Sequence, residues 1–533
     1  MKLRLTAFGL LALAIPGSAF AQVGPEVARC AGLRGLAIKP EQIGLPTGGA
    51  DVATATYKEE PTVYCQINGA IDPVDPAAPD INFQVNLPYA WNNKGLHYGG
   101  GGYNGSLVTG LDQARFNPDD APTPLERGYV TWGSDSGHQS LTPLDGSFLL
   151  NEESLRNFGG DQLKKAHDVA MALIAAFYDG ADPEYVYFQG NSQGGHEGMI
   201  AIQRYPDDYD GAIVVHPANS FVGLQLSGNR AGQAFYQPGA YMSPADVELL
   251  NGAVLSACDM LDGAEDGLVA NISGCGGAFD IQSLRCEDGN GVDGQCLGDA
   301  QIAALDVINT RTETPPLQGG AQGFSGWPIY LAGDLYGLWG MGQSPDPMVP
   351  PRPIANFGLA VLSDPLLRFA ILGDPETNTL EIDAAAHADR LTEVSKIIDA
   401  VSDDLTPFVD RGGKILLTHG TTDFAIPFGN TIDWYERVAA FHGKDATRDF
   451  MRFWLMPGFG HGSGVFQMRW NSLEALENWV ENGQPPENLI VTDAAADTAG
   501  RTRPLCEFPG FPRLDEGAND LNSAASFSCV SGE

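Results

Sequence analysis

Positive charge is scarce in this 533-residue chain. Only 30 Lys and Arg residues stand against 67 Asp and Glu residues, so the formal net charge is −37 and the isoelectric point is near 4.4. Phosphate backbones and anionic lipid surfaces repel a chain of this charge. The composition therefore disfavours nucleic acid and anionic membranes as partners.

Long apolar runs are also scarce. The one notable run, Leu10–Ile15, follows Lys2 and Arg4 and precedes the cleavage-type sequence Ala19–Ala21. It is too short to span a bilayer, and its flanks are typical of an export leader. We interpret residues 1–21 as a signal peptide and expect a soluble mature protein without a membrane partner, either secreted or periplasmic.

Internal repeats are absent, which argues against a solenoid or propeller. The content of hydrophobic residues is 43% and that of charged residues is 18%, which are values of globular rather than disordered chains. A chain of this length is too long for one compact domain. The sequence therefore predicts a folded protein with more than one part.

The most informative motif is Gly190-x-Ser192-x-Gly194, which has the spacing of a nucleophile elbow. A β-prone segment, 185–188, precedes it and a helix-compatible segment, 196–203, follows it. This strand–turn–helix context is what the motif requires in α/β hydrolases. A glycine-rich turn with a chance serine is the alternative. We predict Ser192 as the nucleophile.

A serine nucleophile needs a base and an acid that orients the base. In α/β hydrolases the acid and then the histidine follow the serine, in loops after the carboxyl ends of strands. The strand-like segment 414–420 leads to Asp423, and the segment 453–457 leads to His461. We predict Asp423 as the orienting acid and His461 as the base.

Other residues compete for these two roles. The competing histidines and aspartates are His138, His419, Asp403, Asp404 and Asp410. The three aspartates precede the strand and so lie at its wrong end. His461 is favoured because its glycine-rich loop leaves the imidazole accessible, whereas His138 is expected to support the site.

Stabilisation of an oxyanion needs N–H donors that are already in place. The first should be the amide of Gln193, which follows the nucleophile. The second should come from the four glycines at 99–102, which follow the strand-like segment 81–88. Consecutive glycines let the backbone approach a ligand, although a flexible linker is the alternative. We take Gly101 as the candidate.

The spacing of the motifs predicts an insertion. A strand-like segment, 212–216, follows the elbow helix, but the next core strand begins only at Lys414. A connection of this length must be a domain of its own. We predict an α/β-hydrolase fold with a catalytic domain at 22–218 and 404–533 and a large inserted lid domain at 219–403. The lid supplies four candidate pocket aromatics, Trp327, Tyr330, Tyr336 and Trp339, and for each of them a place in the core of the lid is the alternative.

Three carboxylates of the predicted lid, Asp259, Asp262 and Asp266, lie at i, i+3 and i+7 around Asp-Gly turns. Such an arrangement can converge on a hard cation such as Ca²⁺. In a chain this acidic, a solvated acidic turn is the alternative. We expect a structural calcium ion and no organic cofactor.

These motifs together resemble the tannase and feruloyl esterase family of α/β hydrolases. The matching stretches include 99–105, 134–138, 188–195, 203–211 and 457–461. The resemblance implies esters of aromatic acids, of the galloyl, feruloyl or terephthaloyl type, as substrates. It also adds the carbonyls of Ala264 and Leu268 to the calcium ligands.

The eight cysteines allow 105 pairings, so their spacing alone cannot choose one. The resemblance implies Cys30–Cys65, Cys258–Cys275, Cys286–Cys296 and Cys506–Cys529. In one respect the chain departs from the family. The family places a disulfide between the residue before the serine and the residue after the histidine, and here those positions hold Asn191 and Gly462.

The sequence therefore predicts a secreted serine carboxylic ester hydrolase that acts on a small-molecule or polymer-derived ester through an acyl-enzyme. One alternative is an esterase for aliphatic or polymer-derived esters. The other is a non-catalytic binding protein on the same fold. The oligomeric state stays open.

Overall fold

The computed structural model describes residues 24–333, 335, 344–346 and 357–532, and the predicted signal peptide lies outside these residues. The strands are β1 Ala37–Ile38, β2 Gly49–Lys58, β3 Tyr64–Asp72, β4 Ile81–Pro88, β5 Lys94–Tyr98, β6 Val130–Ser134, β7 Tyr185–Asn191, β8 Gly211–Val215, β9 Thr312–Glu313, β10 Gly323–Phe324, β11 Lys414–Gly420, β12 Met451–Met456, β13 Met468–Arg469, β14 Ile490–Asp493, β15 Thr502–Pro504, β16 Gly510–Leu514 and β17 Phe527–Ser531.

The helices connect and cover these strands. They are α1 Pro25–Ala31, α2 Glu152–Arg156, α3 Gln162–Phe177, α4 Gln193–Arg204, α5 Phe221–Phe235, α6 Pro244–Cys258, α7 Ile272–Ala278, α8 Asp299–Asn309, α9 Gly358–Pro365, α10 Ala388–Ile398, α11 Thr406–Asp410, α12 Phe428–His442, α13 Lys444–Arg448 and α14 Ser472–Asn482. Among the described residues, no helix has the length and apolar character needed to cross a membrane.

Ten strands form one mixed sheet in the order β1-β2-β3-β4-β6-β5-β7-β8-β11-β12. The strands from β1 to β4 pair antiparallel, and β4 is antiparallel to β6. From β6 to β12 every pair is parallel. The carboxyl ends of the parallel strands therefore lie at one edge, where open α/β sheets place their sites.

The parallel strands are buried on both faces. In β8, Ala212 and Val214 belong to the larger core, whereas Ile213 and Val215 belong to a second core on the opposite face. Helix α4 packs on β7 and β8, and α14 packs on β8 and β11. Because successive side chains point to opposite faces, strands of this kind read as continuous apolar runs. The predicted segment at 414–420 coincides with β11 for this reason, and the alternating segment at 81–88 coincides with the antiparallel strand β4.

The strand order of the sheet shows where the long segment is inserted. Strands β8 and β11 are neighbours in the sheet, although the whole segment 216–413 separates them along the chain. The described part of this segment contains α5 to α11 and a separate two-stranded pair, β9 with β10. It adds no strand to the ten-stranded sheet within the described residues. The division into domains at residues 219 and 403 stays a prediction.

Candidate active site

The turn between β7 and α4 holds Ser192 in a strained conformation. Its φ is 62° and its ψ is −125°, a region that L residues rarely adopt, and its N–H donates to the carbonyl of Val215 at 3.0 Å. A Cβ on Gly190 would lie 2.2 Å from the carbonyl oxygen of Gly194. Only glycine therefore fits at position 190, and the turn has the form that the motif predicts.

Three side chains form a continuous chain of hydrogen bonds. The Ser192 Oγ lies 2.9 Å from the His461 Nε2, and the His461 Nδ1 lies 2.8 Å from the Asp423 Oδ2. Asp423 follows β11 and His461 follows β12, so both come from the carboxyl-end edge of the sheet. The structure therefore brings together the three residues that the sequence predicts as nucleophile, base and acid.

Asp423 is fully buried and still strongly acidic. Its Oδ1 accepts hydrogen bonds from the N–H groups of Ala425 at 2.8 Å and Ile426 at 3.0 Å. Burial by itself would raise its pKa, but the neighbouring His461 and His216 outweigh burial and hold the pKa well below its usual range. Asp423 in turn raises the pKa of His461 against the lowering effect of burial.

The two competing histidines, His419 and His138, contact other groups than the nucleophile. His419, which lies in β11, is buried with its Nε2 2.9 Å from the carbonyl oxygen of Ile426 and 3.6 Å from the Asp423 Oδ2. His138 stacks on Phe148 with ring centroids 3.5 Å apart. Among the described residues neither one bonds to the Ser192 Oγ, whereas the His461 Nε2 does.

A second histidine next to the acid was missed from the sequence. His216 follows β8, is fully buried, and places its Nδ1 3.0 Å from the Asp423 Oδ2. Burial lowers the pKa of His216 to about 4, so the imidazole is neutral. The Gly420 N–H approaches the same Nδ1 at 3.3 Å, but the shorter contact with a carboxylate, which can only accept, requires the proton on Nδ1. The signal was available, because His216 follows a strand in the same way as Asp423 does.

The candidate oxyanion donors flank Ser192. Gln193 is the first residue of α4, so its N–H has no acceptor within the helix. Of the glycine loop, Gly102 lines the pocket next to Ser192, whereas Gly101 is exposed and does not line it. The geometry therefore favours Gly102 over the predicted Gly101. The reason is that the loop turns at this point, where Gly102 has a φ of 58°.

The pocket beside Ser192 has mostly apolar walls. Its lining includes Ala218, Phe221, Leu224, Gln225 and Leu362, which belong to the segment inserted between β8 and β11. The side chain of Gln225 is 3% exposed, and its amide has no hydrogen-bond partner among the described residues. The pocket therefore offers apolar walls and one amide that can form a hydrogen bond with a bound group.

The predicted pocket aromatics are not part of this lining. Trp327 is buried in the larger core near Phe324, and Tyr330 lines a different cavity beside Phe279. Tyr336 and Trp339 lie outside the described residues. Aromatic composition alone did not distinguish the core of the inserted segment from its pocket.

The acidic loop 259–268 is closed by its own hydrogen bonds. The carboxylate of Asp259 accepts the N–H groups of Asp266 and Gly267, and the Asp262 Oδ1 accepts the N–H of Ala264 at 2.9 Å. Burial, with smaller contributions from the charges of Asp266 and Asp259, raises the pKa of Asp262 to about 7. The carboxylate of Asp266 also pairs with the buried guanidinium of Arg503, which balances part of the negative charge of the loop.

Arg501 connects this acidic loop to the active-site histidine loop. Its guanidinium donates to the carbonyl of Asp266 at 3.0 Å and to the carbonyl of Val465 at 3.0 Å, and it pairs with the buried Asp493. Val465 lies four residues after His461. The loop is therefore not isolated from the site. Arg501 braces the chain after the histidine, close to the position where the family's disulfide is missing.

All eight cysteines form disulfides in the structure. The bonds are Cys30–Cys65, Cys258–Cys275, Cys286–Cys296 and Cys506–Cys529. They are the four pairs that the resemblance implies. Disulfides are typical of proteins in oxidising compartments.

Comparison with known proteins agrees with this geometry. The family model "Tannase and feruloyl esterase" matches residues 65–530. The chain belongs to the tannase and feruloyl esterase family. It is 40% identical to an uncharacterized esterase of Agrobacterium fabrum over 96% of this chain and 95% of that protein. It is 29% identical to the mono(2-hydroxyethyl) terephthalate hydrolase of Piscinibacter sakaiensis over 90% of this chain and 86% of that enzyme.

The fold has solved counterparts in the family. The crystal structure of feruloyl esterase B from Aspergillus oryzae superposes with a TM-score of 0.77 at 21% identity, over 95% of this chain and 100% of that one. The predicted α/β-hydrolase class is confirmed. Membership of the family also makes this protein a carboxylic ester hydrolase, so the alternative of a non-catalytic binding protein is not supported.

Proposed function

We propose that this protein hydrolyses esters through a covalent acyl-enzyme on Ser192. The observation that carries the proposal is the hydrogen-bond chain from Ser192 through His461 to the buried Asp423, with contacts of 2.9 Å and 2.8 Å. A serine hydroxyl is a weak nucleophile until a base removes its proton. The strained backbone at Ser192 holds the hydroxyl against that base.

In the first step the Ser192 Oγ attacks the ester carbonyl carbon, and its proton passes to the His461 Nε2. The carbonyl electron pair moves to oxygen, where the N–H groups of Gln193 and Gly102 stabilise it. Collapse of this intermediate breaks the bond to the alcohol oxygen, which takes the proton from His461. Water then attacks the acyl-enzyme with His461 as base, and this step releases the acid and restores Ser192.

The test is Ser192→Ala. Loss of the nucleophile of a triad costs on the order of a million-fold in turnover, so the variant should be inactive and should not react with a fluorophosphonate probe. Ser227→Ala is the matched control, because it removes a buried hydroxyl that contacts Thr312 instead of the triad. Activity of S192A within tenfold of the wild type would refute the proposal.

For the acyl group, we propose an aromatic acid of the feruloyl, galloyl or terephthaloyl type. The pocket walls at Phe221, Leu224 and Leu362 are apolar, and the amide of Gln225 has no partner in the described part of the chain. Both features support a ring with a polar substituent. The names of two relatives, a mono(2-hydroxyethyl) terephthalate hydrolase and a feruloyl esterase B, agree with this class. Aliphatic or polymer-derived esters remain the alternative.

A panel of esters separates these substrates. It pairs cinnamoyl with hydroxycinnamoyl esters, benzoyl with galloyl and terephthaloyl esters, and includes straight-chain acyl esters of rising length. We expect the highest kcat/KM on a ring-hydroxylated or carboxylated aromatic ester. Gln225→Leu should reduce that preference while kcat/KM on the unsubstituted ester stays within about threefold. A preference for straight-chain esters would favour the alternative.

We also propose that the loop 259–268 binds a structural Ca²⁺ ion. Asp259 and Asp266 lie close enough to raise the pKa of Asp262, and the backbones of Ala264 and Leu268 are buried beside them. Carboxylates together with carbonyl oxygens form the donor set that calcium prefers. The ion would neutralise the cluster and would take no part in the ester chemistry.

We propose that the chain is exported through the leader at 1–21. Four disulfides support an oxidising destination. N-terminal sequencing of protein recovered from the medium or periplasm tests this proposal. A mature chain that begins near residue 22 supports it, and an intact Met1 in the cytoplasmic fraction contradicts it.

A further inference from the structure

Glu197 is a buried carboxylate close to the nucleophile. It lies on α4, five residues after Ser192, and its side chain is 1% exposed. Among the described residues no Lys or Arg pairs with it. A carboxylate without a cationic partner is costly to bury, and its hydrogen bonds offset only part of that cost, because burial raises the pKa of Glu197 to about 7.

These hydrogen bonds go mainly to the glycine loop. The Oε2 accepts the N–H of Gly100 at 2.7 Å, and the Oε1 accepts the side-chain amide of Asn104 at 2.6 Å. A third bond comes from the amide of Gln162 at 3.2 Å. The N–H of Asn104 donates to the carbonyl of Gly101 at 2.8 Å and closes the turn 101–104. Glu197 therefore holds both sides of the turn that presents Gly102 to the pocket.

The same loop rests directly on the nucleophile helix. A Cβ on Gly99 would lie 2.6 Å from the Cα of Gly194 and 2.9 Å from the Glu197 Oε2. Glu197 stands one helical turn after Gln193, whose N–H is the other oxyanion donor. The two donors thus come from separate segments, and the side chain of Glu197 connects the segments.

We infer that Glu197 is a positioning residue of the oxyanion hole, which sets the distance between the N–H groups of Gly102 and Gln193. The inference rests on the proposed function, since it assigns Glu197 a role in the same acyl transfer. Preorganised donors stabilise charge that develops only in the transition state. Displacing one of them should therefore lower kcat and leave KM nearly unchanged.

Glu197→Leu is the decisive variant, because it removes every acceptor and leaves the Gly100 N–H free to move. Loss of one oxyanion donor typically costs about 10²–10³-fold in kcat, and we expect a loss of that size with KM within about threefold. The inhibition constant of an aryl trifluoromethyl ketone, whose hemiketal oxygen needs the same donors, should rise in parallel. The inhibition constant of the product acid should not rise.

Glu197→Gln is the conservative variant. Its carbonyl can keep the bond to the Gly100 N–H. Its amide can donate to the Asn104 Oδ1, which has no partner among the described residues, once the Asn104 amide turns over. We expect kcat to recover to within about tenfold of the wild type. If E197L does not fold, Glu197→Asp takes its place, since a carboxylate one methylene shorter cannot reach both Gly100 and Asn104.

Asp135→Asn is the matched control. Asp135 is another buried carboxylate, and within the described ranges it has no cationic partner. Its side chain accepts bonds from Asn82, Gly137 and Gln139 and, within the same ranges, none from the glycine loop. The D135N substitution should lower thermal stability without lowering kcat more than about threefold. A folded E197L with wild-type kcat, or an equal kcat loss in D135N, would overturn the inference. In either case an inactive S192A would leave the proposed function standing.

Discussion

At the scale of single residues, the site depends on keeping one buried carboxylate ionised. Asp423 is fully buried, and burial alone would favour its neutral form. Two backbone N–H groups on the Oδ1 and the histidines around the Oδ2 reverse that preference. The ionised carboxylate can then hold the His461 tautomer that accepts the serine proton on Nε2.

The pH dependence of activity follows from this arrangement. Asp423 raises the pKa of His461 above its ordinary value of 6.5, and only the neutral imidazole can act as base. We therefore expect kcat/KM to have its maximum value at pH values above that raised pKa and to fall as the pH decreases through it. A pH series on a soluble ester measures the acid limb. An inflection below pH 6.5 would contradict the prediction.

Substitution of His216 should shift the pH at which kcat/KM falls on the acid side. Its neutral imidazole donates to Asp423 and shares the carboxylate with His461. His216→Phe removes this donor, so the carboxylate acts more fully on His461, and we expect the acid limb to move to higher pH and kcat to fall at least several-fold. His216→Gln keeps a donor and should stay closer to the wild type. Identical pH profiles for the wild type and both variants would refute this role.

At the scale of elements, the nucleophile elbow is a steric construction. Strand β7, the turn at Ser192 and helix α4 approach so closely that the Gly190 and Gly194 backbones lie in contact. The interfering atom is a backbone carbonyl, so no side-chain rotation can relieve a clash. The strained φ of Ser192 is maintained by this packing on both sides.

Gly190→Ala should therefore distort the elbow. A Cβ at this position would lie 2.2 Å from the Gly194 carbonyl oxygen, and we expect a lower Tm and a loss of activity of more than tenfold. Gly252→Ala on helix α6 is the control, because a Cβ there meets no atom within 4 Å. That control should stabilise the helix by about 0.5–1 kcal/mol. Equal melting curves and activities for G190A and G252A would contradict the packing argument.

The acidic loop 259–268 is the second element with a testable role. A ligand that binds only the native state stabilises it by about 2.7 kcal/mol at a hundredfold excess over its Kd. A chelator should therefore lower Tm, and calcium rather than magnesium should restore it, since magnesium requires a tighter octahedral shell.

Asp262→Asn is the matched variant for this test, and its Tm should no longer respond to chelator. If the wild-type protein contains no calcium by elemental analysis and melts identically in chelator, the loop is an ordinary acidic turn. An effect on kcat below Tm would indicate that Arg501 transmits the change from Asp266 to Val465.

At the scale of the whole molecule, the disulfides are local cross-links. They separate their partners by 35, 17, 10 and 23 residues, so each one closes a short loop. Closure of a loop of about 15 residues stabilises by about 3 kcal/mol in the chain-entropy model. None of the four connects the nucleophile helix to the histidine loop, which hydrogen bonds and packing hold together instead.

We predict that the purified protein contains no free thiol. All eight cysteines are paired in the structure, so a thiol reagent under denaturing, non-reducing conditions should find none. After reduction the same assay should find eight thiols, and Tm should decrease because the unfolded chain gains entropy. Two or more reactive thiols before reduction would contradict the pairing.

The sequence by itself determined the parts of this protein that are local. The elbow is a five-residue steric motif, and the strands that lead to Asp423 and His461 are continuous apolar runs because both faces of the sheet are buried. Because these motifs can be located along the chain, their order gave the triad of Ser192, Asp423 and His461. The distance between two predicted strands gave the length of the insertion. The disulfide pairing needed the family resemblance as well, because spacing alone permits 105 schemes.

Only the tertiary structure decided which distant segments meet. His216 contacts Asp423 because β8 and β11 are neighbours in the sheet, although some two hundred residues separate them along the chain. Gly102 rather than Gly101 faces Ser192 because of the turn that Glu197 holds, and the pocket takes its walls from α5 rather than from Trp327 or Tyr330. These contacts depend on strand order and packing between segments, which local sequence patterns do not encode.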